Sequence, residues 1–453
     1  MKRLAMSIIV LFVLCMMSGC SKKEAKDSYI EGTDFQYQYF NQSTYVSMEA
    51  KGKDCRYFVI GSFIYQLDNE TEVMAPLCNK SNCLHDKEID ENRVEDCNAY
   101  ILENTGDTGI AYMDGFVYSI MQEWKDNTIC DVLYKISSDG STRDKVYQWD
   151  GEVVESWCLH RDALYYVEHT YNEENKESYK VKKLNLDGMR KTEPKVVYEP
   201  GEDITIFAFS SLQAYGNHLY INVDGAKTED VEKVAGKDWA KYSYNKTFQY
   251  NLQNDTLSEI QVPNQTDTEQ VSGVTFWQDK LVIRAMDCEK IHQYDTTNNV
   301  YIADLDGQNA TILMKDMPAY RQYSSDGTYL YVSDCPEALD RIYSDSDYQY
   351  NINHNVEVDY DFTVNIDVYD KDMELVDHMQ SPIKSFPTEL PYGIGDRMYV
   401  LEYNENDDGF NIIYWDKTKL GTYQGQEYSF TKLLEQKYSS HDLQQSEEDS
   451  GEE

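Results

Sequence analysis

A strand pattern that recurs along the chain, 39 tyrosines in 453 residues and an almost complete lack of helical periodicity predict an all-β fold. The architecture they predict is a β-propeller of seven four-stranded blades, with six or eight as the alternative counts. Each unit opens on a turn pair, runs into an alternating Tyr-rich strand, crosses a variable connection and adds a second strand that ends in an Asp, Asn or Gly turn. The leading strands fall at residues 56–60, 116–120, 163–167, 218–223, 280–285, 328–332 and 397–401. Their central positions are Phe58, Tyr118, Tyr165, Tyr220, Val282, Leu330 and Tyr399, spaced by 60, 47, 55, 62, 48 and 69 residues. The partner strands fall at 63–67, 132–136, 181–186, 247–252, 300–305, 363–369 and 410–415. Turns such as Ser138-Asp139-Gly140, Leu186-Asp187-Gly188 and Leu305-Asp306-Gly307 close them, with glycine supplying positive φ. One unit cannot bury both faces of its sheet, so neighbours must stack on it.

Two excursions exceed the period, residues 225–244 and 333–361, and both are polar, as loops over one propeller face would be. Helix is expected only as short pieces at 229–240 and 430–436. The propeller domain is expected to span 41–435, and 436–453 reads as a disordered tail, since six acids and no Lys or Arg follow His441.

The first twenty residues set the compartment. Lys2 and Arg3 precede an apolar run at 4–13 that is too short to cross a bilayer, and Met17-Ser18-Gly19-Cys20 closes it. This ending resembles the lipobox of bacterial lipoprotein signals, with Met where Leu is usual. That resemblance implies removal of residues 1–19, lipidation of Cys20 and a tether over 20–40. Nothing later in the sequence is apolar enough to span a membrane. The formal charge of −40 disfavours phosphate-backbone binding and excludes nucleic acid as the expected partner.

The motifs Asp114-Gly115-Phe116-Val117-Tyr118, Asn217-His218-Leu219-Tyr220 and Asp396-Arg397-Met398-Tyr399, with the Leu-Asp-Gly turns, carry a further resemblance. The chain resembles propeller lipoproteins of gut-dwelling Gram-positive bacteria, loosely related to TolB-like and LDL-receptor-like propellers, over about residues 40–435. The resemblance implies a fold and no activity.

The sharpest chemical cluster is Cys78, Cys83, His85 and Cys97, between the first and second units. Three thiols and an imidazole suit a closed tetrahedral zinc site, while an extracytoplasmic compartment favours disulfides; pairing with Cys55, Cys130, Cys158, Cys288 or Cys335 is equally open. Calcium stays unplaced on so acidic a surface: the 404–409 run has oxygens at alternate positions, but no closing Glu, and reads better as a hairpin turn. No nucleophile elbow, HExxH or phosphate loop is present, and the eight histidines are scattered. Of six tryptophans, Trp239 in the 225–244 excursion is the expected exposed contact. The expected function is a lipid-anchored propeller on the outer face of the cytoplasmic membrane, binding a glycan, peptide or envelope protein without catalysis. The alternatives are a glycan-directed hydrolase or lyase with carboxylates in the central funnel, and an accessory subunit of an envelope complex or transporter.

Overall fold

Alternation of tyrosine and aliphatic residues drives the chain into short antiparallel ladders, and in the computed structural model these ladders make almost the whole architecture. The structure describes residues 27–36, 49–60, 63–83, 85, 97–101, 109–125, 128–171, 177–186, 193–234, 242–261, 269–287, 297–318, 321–334, 364–380, 395–403, 409–422 and 431–437.

Six four-stranded sheets follow one another in chain order. Blade 1 holds β1 (Glu49–Lys51), β2 (Cys55–Ile60), β3 (Phe63–Asp68) and β4 (Met74–Pro76). Blade 2 holds β5 (Ile110–Met113), β6 (Phe116–Lys125), β7 (Thr128–Ser137) and β8 (Arg143–Gln148). Blade 3 holds β9 (Val153–His160), β10 (Ala163–Tyr171), β11 (Glu177–Asn185) and β12 (Lys195–Tyr198). Blade 4 holds β13 (Ile204–Tyr215), β14 (His218–Lys227), β15 (Ser243–Asn251) and β16 (Thr256–Glu259). Blade 5 holds β17 (Glu269–Trp277), β18 (Lys280–Asp287), β19 (Thr297–Ala303) and β20 (Thr311–Pro318). Blade 6 holds β21 (Tyr323–Ser325), β22 (Leu330–Asp334), β23 (Asn365–Tyr369) and β24 (Leu375–Gln380).

The expected count of seven four-stranded blades is corrected to six. Among the described residues the last repeat forms a three-stranded sheet, β25 (Arg397–Tyr403), β26 (Gly409–Asp416) and β27 (Thr431–Lys437). The reason is the place of the repeated strand. It is the second strand of every four-stranded sheet, and β25 takes that place with no described strand before it. Residues 430–436, expected as helix, lie largely in β27 instead, because pairing with β26 over Gly409↔Lys437 to Tyr414↔Thr431 outweighs the helix propensity of Lys, Leu, Glu and Gln. Of the expected 229–240 helix, a 3-10 turn (Thr228–Asp230) and one helical turn (Val231–Val234) form, and the remainder lies outside the described residues. Among the described residues no helix is long and apolar enough to cross a membrane.

The core is split into wedges between blades. Along β10, Leu164 and Tyr166 pack with Tyr118 and Leu133 of blade 2, while the alternate Ala163, Tyr165 and Val167 pack with Leu212, Leu219 and Ile221 of blade 4. Both faces of the strand are thus buried over this stretch, which is why Ala163–Val167 is continuously apolar. Trp149, Trp157 and Trp277 are buried in such wedges.

The three-stranded sheet is bound on both sides. Against blade 1, Tyr399 sets its ring edge-on to Phe58 at 5.4 Å, the Arg56 guanidinium lies 4.8 Å above the Tyr399 ring, and Arg397 pairs with Glu72 at 2.7 Å. Arg56 is itself ion-paired with Glu49, both side chains being buried. Against blade 6, the buried Lys417 ammonium pairs with Asp326 at 3.0 Å and the Gly421 N–H donates to Asp377 at 2.8 Å. Burial pushes the Glu49 carboxyl up, with Arg56 acting against that shift.

Replacing Arg56 by Met strands the Glu49 carboxylate in the interior and is expected to cost about 3–5 kcal/mol, whereas the double change Glu49→Leu, Arg56→Met costs less than the single one. Urea denaturation midpoints of the three proteins check this; equal losses in single and double variants would contradict it.

Candidate functional site

Two places carry more than core packing: a thiol and imidazole cluster in the wedge between blades 1 and 2, and a strap of chain across one end of the blades.

The cluster grows from the end of β4. Leu77 donates its N–H to Ile64 and is fully buried, which plants Cys78 at the wedge. A turn closed by Cys83 N–H to the Lys80 carbonyl (3.1 Å) brings Cys83 back, and His85 follows with left-handed backbone, φ +55°. Cys97 arrives fully buried, fixed from outside by Arg143, whose guanidinium donates to the Cys97 and Tyr100 carbonyls at 3.1 and 2.7 Å. The donor atoms of Cys78, Cys83, His85 and Cys97 all lie within 4.8 Å of one another, with Cys97 Sγ 3.8 Å from His85 Nδ1.

Burial works against the Cys78 thiolate, but N–H groups of Lys80 and Asn98 and the thiols of Cys97 and Cys83 outweigh it and hold that thiol below its ordinary value. Burial, with Cys83 beside it, pushes the Cys97 thiol up. A cavity of about 460 Å³ opens beside the cluster, lined by Cys55, Gln66, Cys78, His85, Ser138 and Asp139.

The sequence pattern therefore names four residues that the fold does bring together. None of Cys55, Cys78, Cys83, Cys97, Cys130 and Cys158 is joined to another by a disulfide. Of the remaining thiols, Cys55 reaches the cavity, Cys130 bonds the Glu123 carbonyl at 3.5 Å, and the buried Cys158 thiol is pushed up by its apolar surroundings. Cys20, Cys288, Cys335 and Trp239 lie outside the described residues, as does most of the 404–409 run read for calcium.

What the sequence reading missed is the anvil under the cluster. The Ser138-Asp139-Gly140 turn of blade 2 presses on it: the Gly140 carbonyl accepts from Asn98 Nδ2 at 2.8 Å and from the Asn79 N–H at 3.0 Å. Gly140 sits at φ +70°, and a Cβ there would come within 2.6 Å of Cys78 N and of Leu77 C. The turn itself was legible; its docking on residues 77–79 left no sequence signal.

The strap is residues 27–36, inside the segment read as a tether. Asp27 accepts from the Asn217 N–H at 3.0 Å, meets His218 at 3.3 Å and passes directly over Gly216. The Gly32 carbonyl accepts from Asp114 N–H, and the Thr33 carbonyl from Arg161 N–H at 2.8 Å. Asp34 pairs with the Arg161 guanidinium at 2.8 Å, and Gln36 exchanges two hydrogen bonds with the Lys51 backbone. Lys51, Asp114, Arg161 and Asn217 each lie at the turn from first to second strand, in blades 1, 2, 3 and 4, so the strap covers one end of four blades.

His160 locks it. The buried ring accepts at Nδ1 from the Phe35 N–H (3.1 Å) and donates from Nε2 to the Gly216 carbonyl (2.9 Å), an arrangement open only to the neutral ring. Burial lowers its pKa to about 4; the Asp34 carboxylate 3.9 Å away acts the other way but is committed to Arg161.

The opposite end of the blades is where β22 stops at Asp334 and β14 at Lys227, so both long excursions leave from there. The exposed aromatic side chains Tyr171 (58% exposed) and Phe207 (45%), with Val153 (43%), lie at that end of blades 3 and 4. Behind them His169 stacks on Tyr179 at 4.3 Å and pairs with Glu155 at 2.8 Å. Among the described carboxyls, those pushed above the usual range are Glu49, committed to Arg56, and Glu152, raised by burial and by the Glu168 charge.

The fold is thus a β-propeller. No protein-family model matches the chain, and no curated protein matches it. Among solved structures it is similar to the propeller domain of the Trilobed protease from Pyrococcus furiosus (TM-score 0.40, 14% identity, 67% of this chain and 80% of that one). It is also similar to an oligogalacturonate lyase from Vibrio parahaemolyticus (0.42, 13%, 87% and 91%) and to a puromycin-hydrolyzing peptidase from Mycobacterium tuberculosis (0.48, 11%, 91% and 56%). The chain spans little more than half of that peptidase. At these scores the likenesses assign no activity to it.

Gly140→Ala forces either the turn or residues 77–78 to move and is expected to cost about 2–4 kcal/mol and to speed alkylation of Cys78. An unchanged denaturation midpoint and alkylation rate would refute the docking. Strap docking is expected to depend on pH. Because the folded His160 value lies below that of a free imidazole, its contribution is whole above pH about 6.5, declines as pH falls towards about 4 and is absent below that, a span on the order of 3 kcal/mol. The protection factor of the Phe35 amide, its exchange rate relative to the unprotected rate at the same pH, should fall through that window in the wild type and not in a His160→Asn variant.

Proposed function

We propose that the chain is a lipid-anchored, extracytoplasmic, non-catalytic propeller that binds a glycan, peptide or envelope protein at the blade ends opposite the strap. The observation that carries this reading is the polarity of the ring. Residues 27–36 occupy one end of four blades, while the long connections and the exposed Tyr171 and Phe207 belong to the other.

With lipid on Cys20, six residues separate the anchor from Asp27. A fully extended chain gains at most about 3.5 Å per residue, so the strap end is held within roughly 25 Å of the membrane and the loop end faces outward. Exposed aromatic rings beside His169 and Glu155 supply stacking surface with hydrogen-bonding groups, a combination suited to sugars or to aromatic and cationic peptide side chains. The described acids with raised pKa do not converge on a reactive pair, and Glu49 is held by Arg56.

Labelling intact cells with a membrane-impermeant amine reagent tests the reading. Lys227 and Lys233, near the loop end, should label several-fold faster than Lys53 and Lys371 at strap-end turns; a Cys20→Ala protein released to the medium should lose that difference. Retention of Cys20→Ala in the membrane would refute the anchor, and equal labelling of anchored protein would refute the orientation.

A further inference from the structure

We propose that Cys78, Cys83, His85 and Cys97 bind one zinc ion as a closed structural site that staples the chain between blades 1 and 2 to the blade 2 turn at Gly140. The donor set is complete without solvent: three sulfurs and one imidazole nitrogen, all within 4.8 Å of one another. A tetrahedral zinc ion with bonds of about 2.3 Å to sulfur and 2.0–2.1 Å to nitrogen places its ligands roughly 3.5–3.8 Å apart. The Cys97 to His85 separation of 3.8 Å already stands at that spacing.

The stoichiometry argues for metal over a disulfide. A bridge uses two thiols, and with three in the cluster it leaves one thiol and the imidazole packed together with no common role. A zinc ion uses all four donors. The surroundings also fit thiolate ligands: N–H groups of Lys80 and Asn98 donate to the Cys78 sulfur and that of Ala99 to the Cys97 sulfur, the outer contacts that orient metal-bound sulfur. Zinc with three thiolates and a neutral imidazole carries one net negative charge, and the Arg143 guanidinium on the Cys97 carbonyl brings a positive charge against it. His85 turns its Nδ1 toward Cys97, where a shared metal ion would lie.

Four protein ligands leave no open coordination position, so the ion is structural and not catalytic. Its consequence is mechanical. Residues 78–85 and Cys97 become one cross-linked unit, and Asn79 and Asn98, which belong to it, hold Gly140 from two sides. The wedge and the cavity beside it are thereby ordered independently of what the loop end binds.

The full chain, purified under reducing conditions without chelator, should retain one zinc per molecule by native mass spectrometry. Cobalt titrated into metal-stripped protein should give the thiolate charge-transfer and intense d–d absorption of a tetrahedral sulfur-rich site. His85→Cys should keep both signals, Cys83→Ser should lose them, and Cys158→Ser, a buried thiol outside the cluster, should leave them unchanged. Because Cys83→Ser could disturb folding, wild-type protein supplies a second reading: zinc should slow alkylation of Cys78, Cys83 and Cys97 at least tenfold relative to the stripped protein and leave Cys130 and Cys158 unaffected. Absence of bound metal together with a peptide-mapped bridge between two of the three thiols would overturn the assignment. So would zinc content that survives Cys83→Ser.

Discussion

Ring closure is the constraint on which the rest depends. Each blade is apolar on both faces, as β10 shows by giving alternate side chains to blades 2 and 4, so a blade without two neighbours leaves a face in water. The join is made where the three-stranded sheet meets blades 1 and 6, and there the apolar contact between Phe58 and Tyr399 is supplemented by buried charge. The Arg56–Glu49 and Lys417–Asp326 pairs are costly to desolvate, and a hydrophobic joint would serve stability at least as well. Glu49, in the same sheet as Arg56, holds that guanidinium where it covers the Tyr399 ring, while Arg397–Glu72 and Lys417–Asp326 reach across the two joins.

A closed ring has two ends, and the strap makes them unlike. Residues 27–36 satisfy their backbone on turns of four successive blades, using Asp27, Asp34 and Gln36 as side-chain anchors and His160 as the neutral acceptor for Phe35. The other end carries the long connections that leave β14 and β22, and there Tyr171 and Phe207 stay exposed. A formal charge of −40 favours solubility and bears on neither end in particular.

Much of the fold was legible because strand alternation and glycine turns are local. Tyr118, Tyr165, Tyr220 and Leu330 mark the second strand of their blades as the spacing indicated. The blade count was not legible: the leading repeat strand is the second of each sheet, and a repeat seen as two strands does not tell whether its outer neighbours form. Among the described residues the last unit shows three strands where the others show four. Residues 430–436 show the same limit from the other side, since their composition suits a helix and only the edge of β26 makes them a strand.

The candidate site divides in the same way. Residue identity and spacing alone picked out Cys78, Cys83, His85 and Cys97, because thiols and imidazole within twenty residues are chemically conspicuous wherever they fall. Convergence within 4.8 Å, the support of Arg143, and the pressure of Gly140 on Leu77 and Cys78 were decided by the packing of blade 2 on blade 1. The strap belongs wholly to that second category. Asp27, Asp34 and Phe35 sit in a charged stretch that composition describes as a tether, and their partners His218, Arg161 and His160 lie well over a hundred residues away. Sequence determined the strands, the turns and the chemistry of the donors, because these are set by neighbours along the chain; tertiary structure decided the number of complete blades and which end is covered, because both depend on contacts that exist only once the ring has closed.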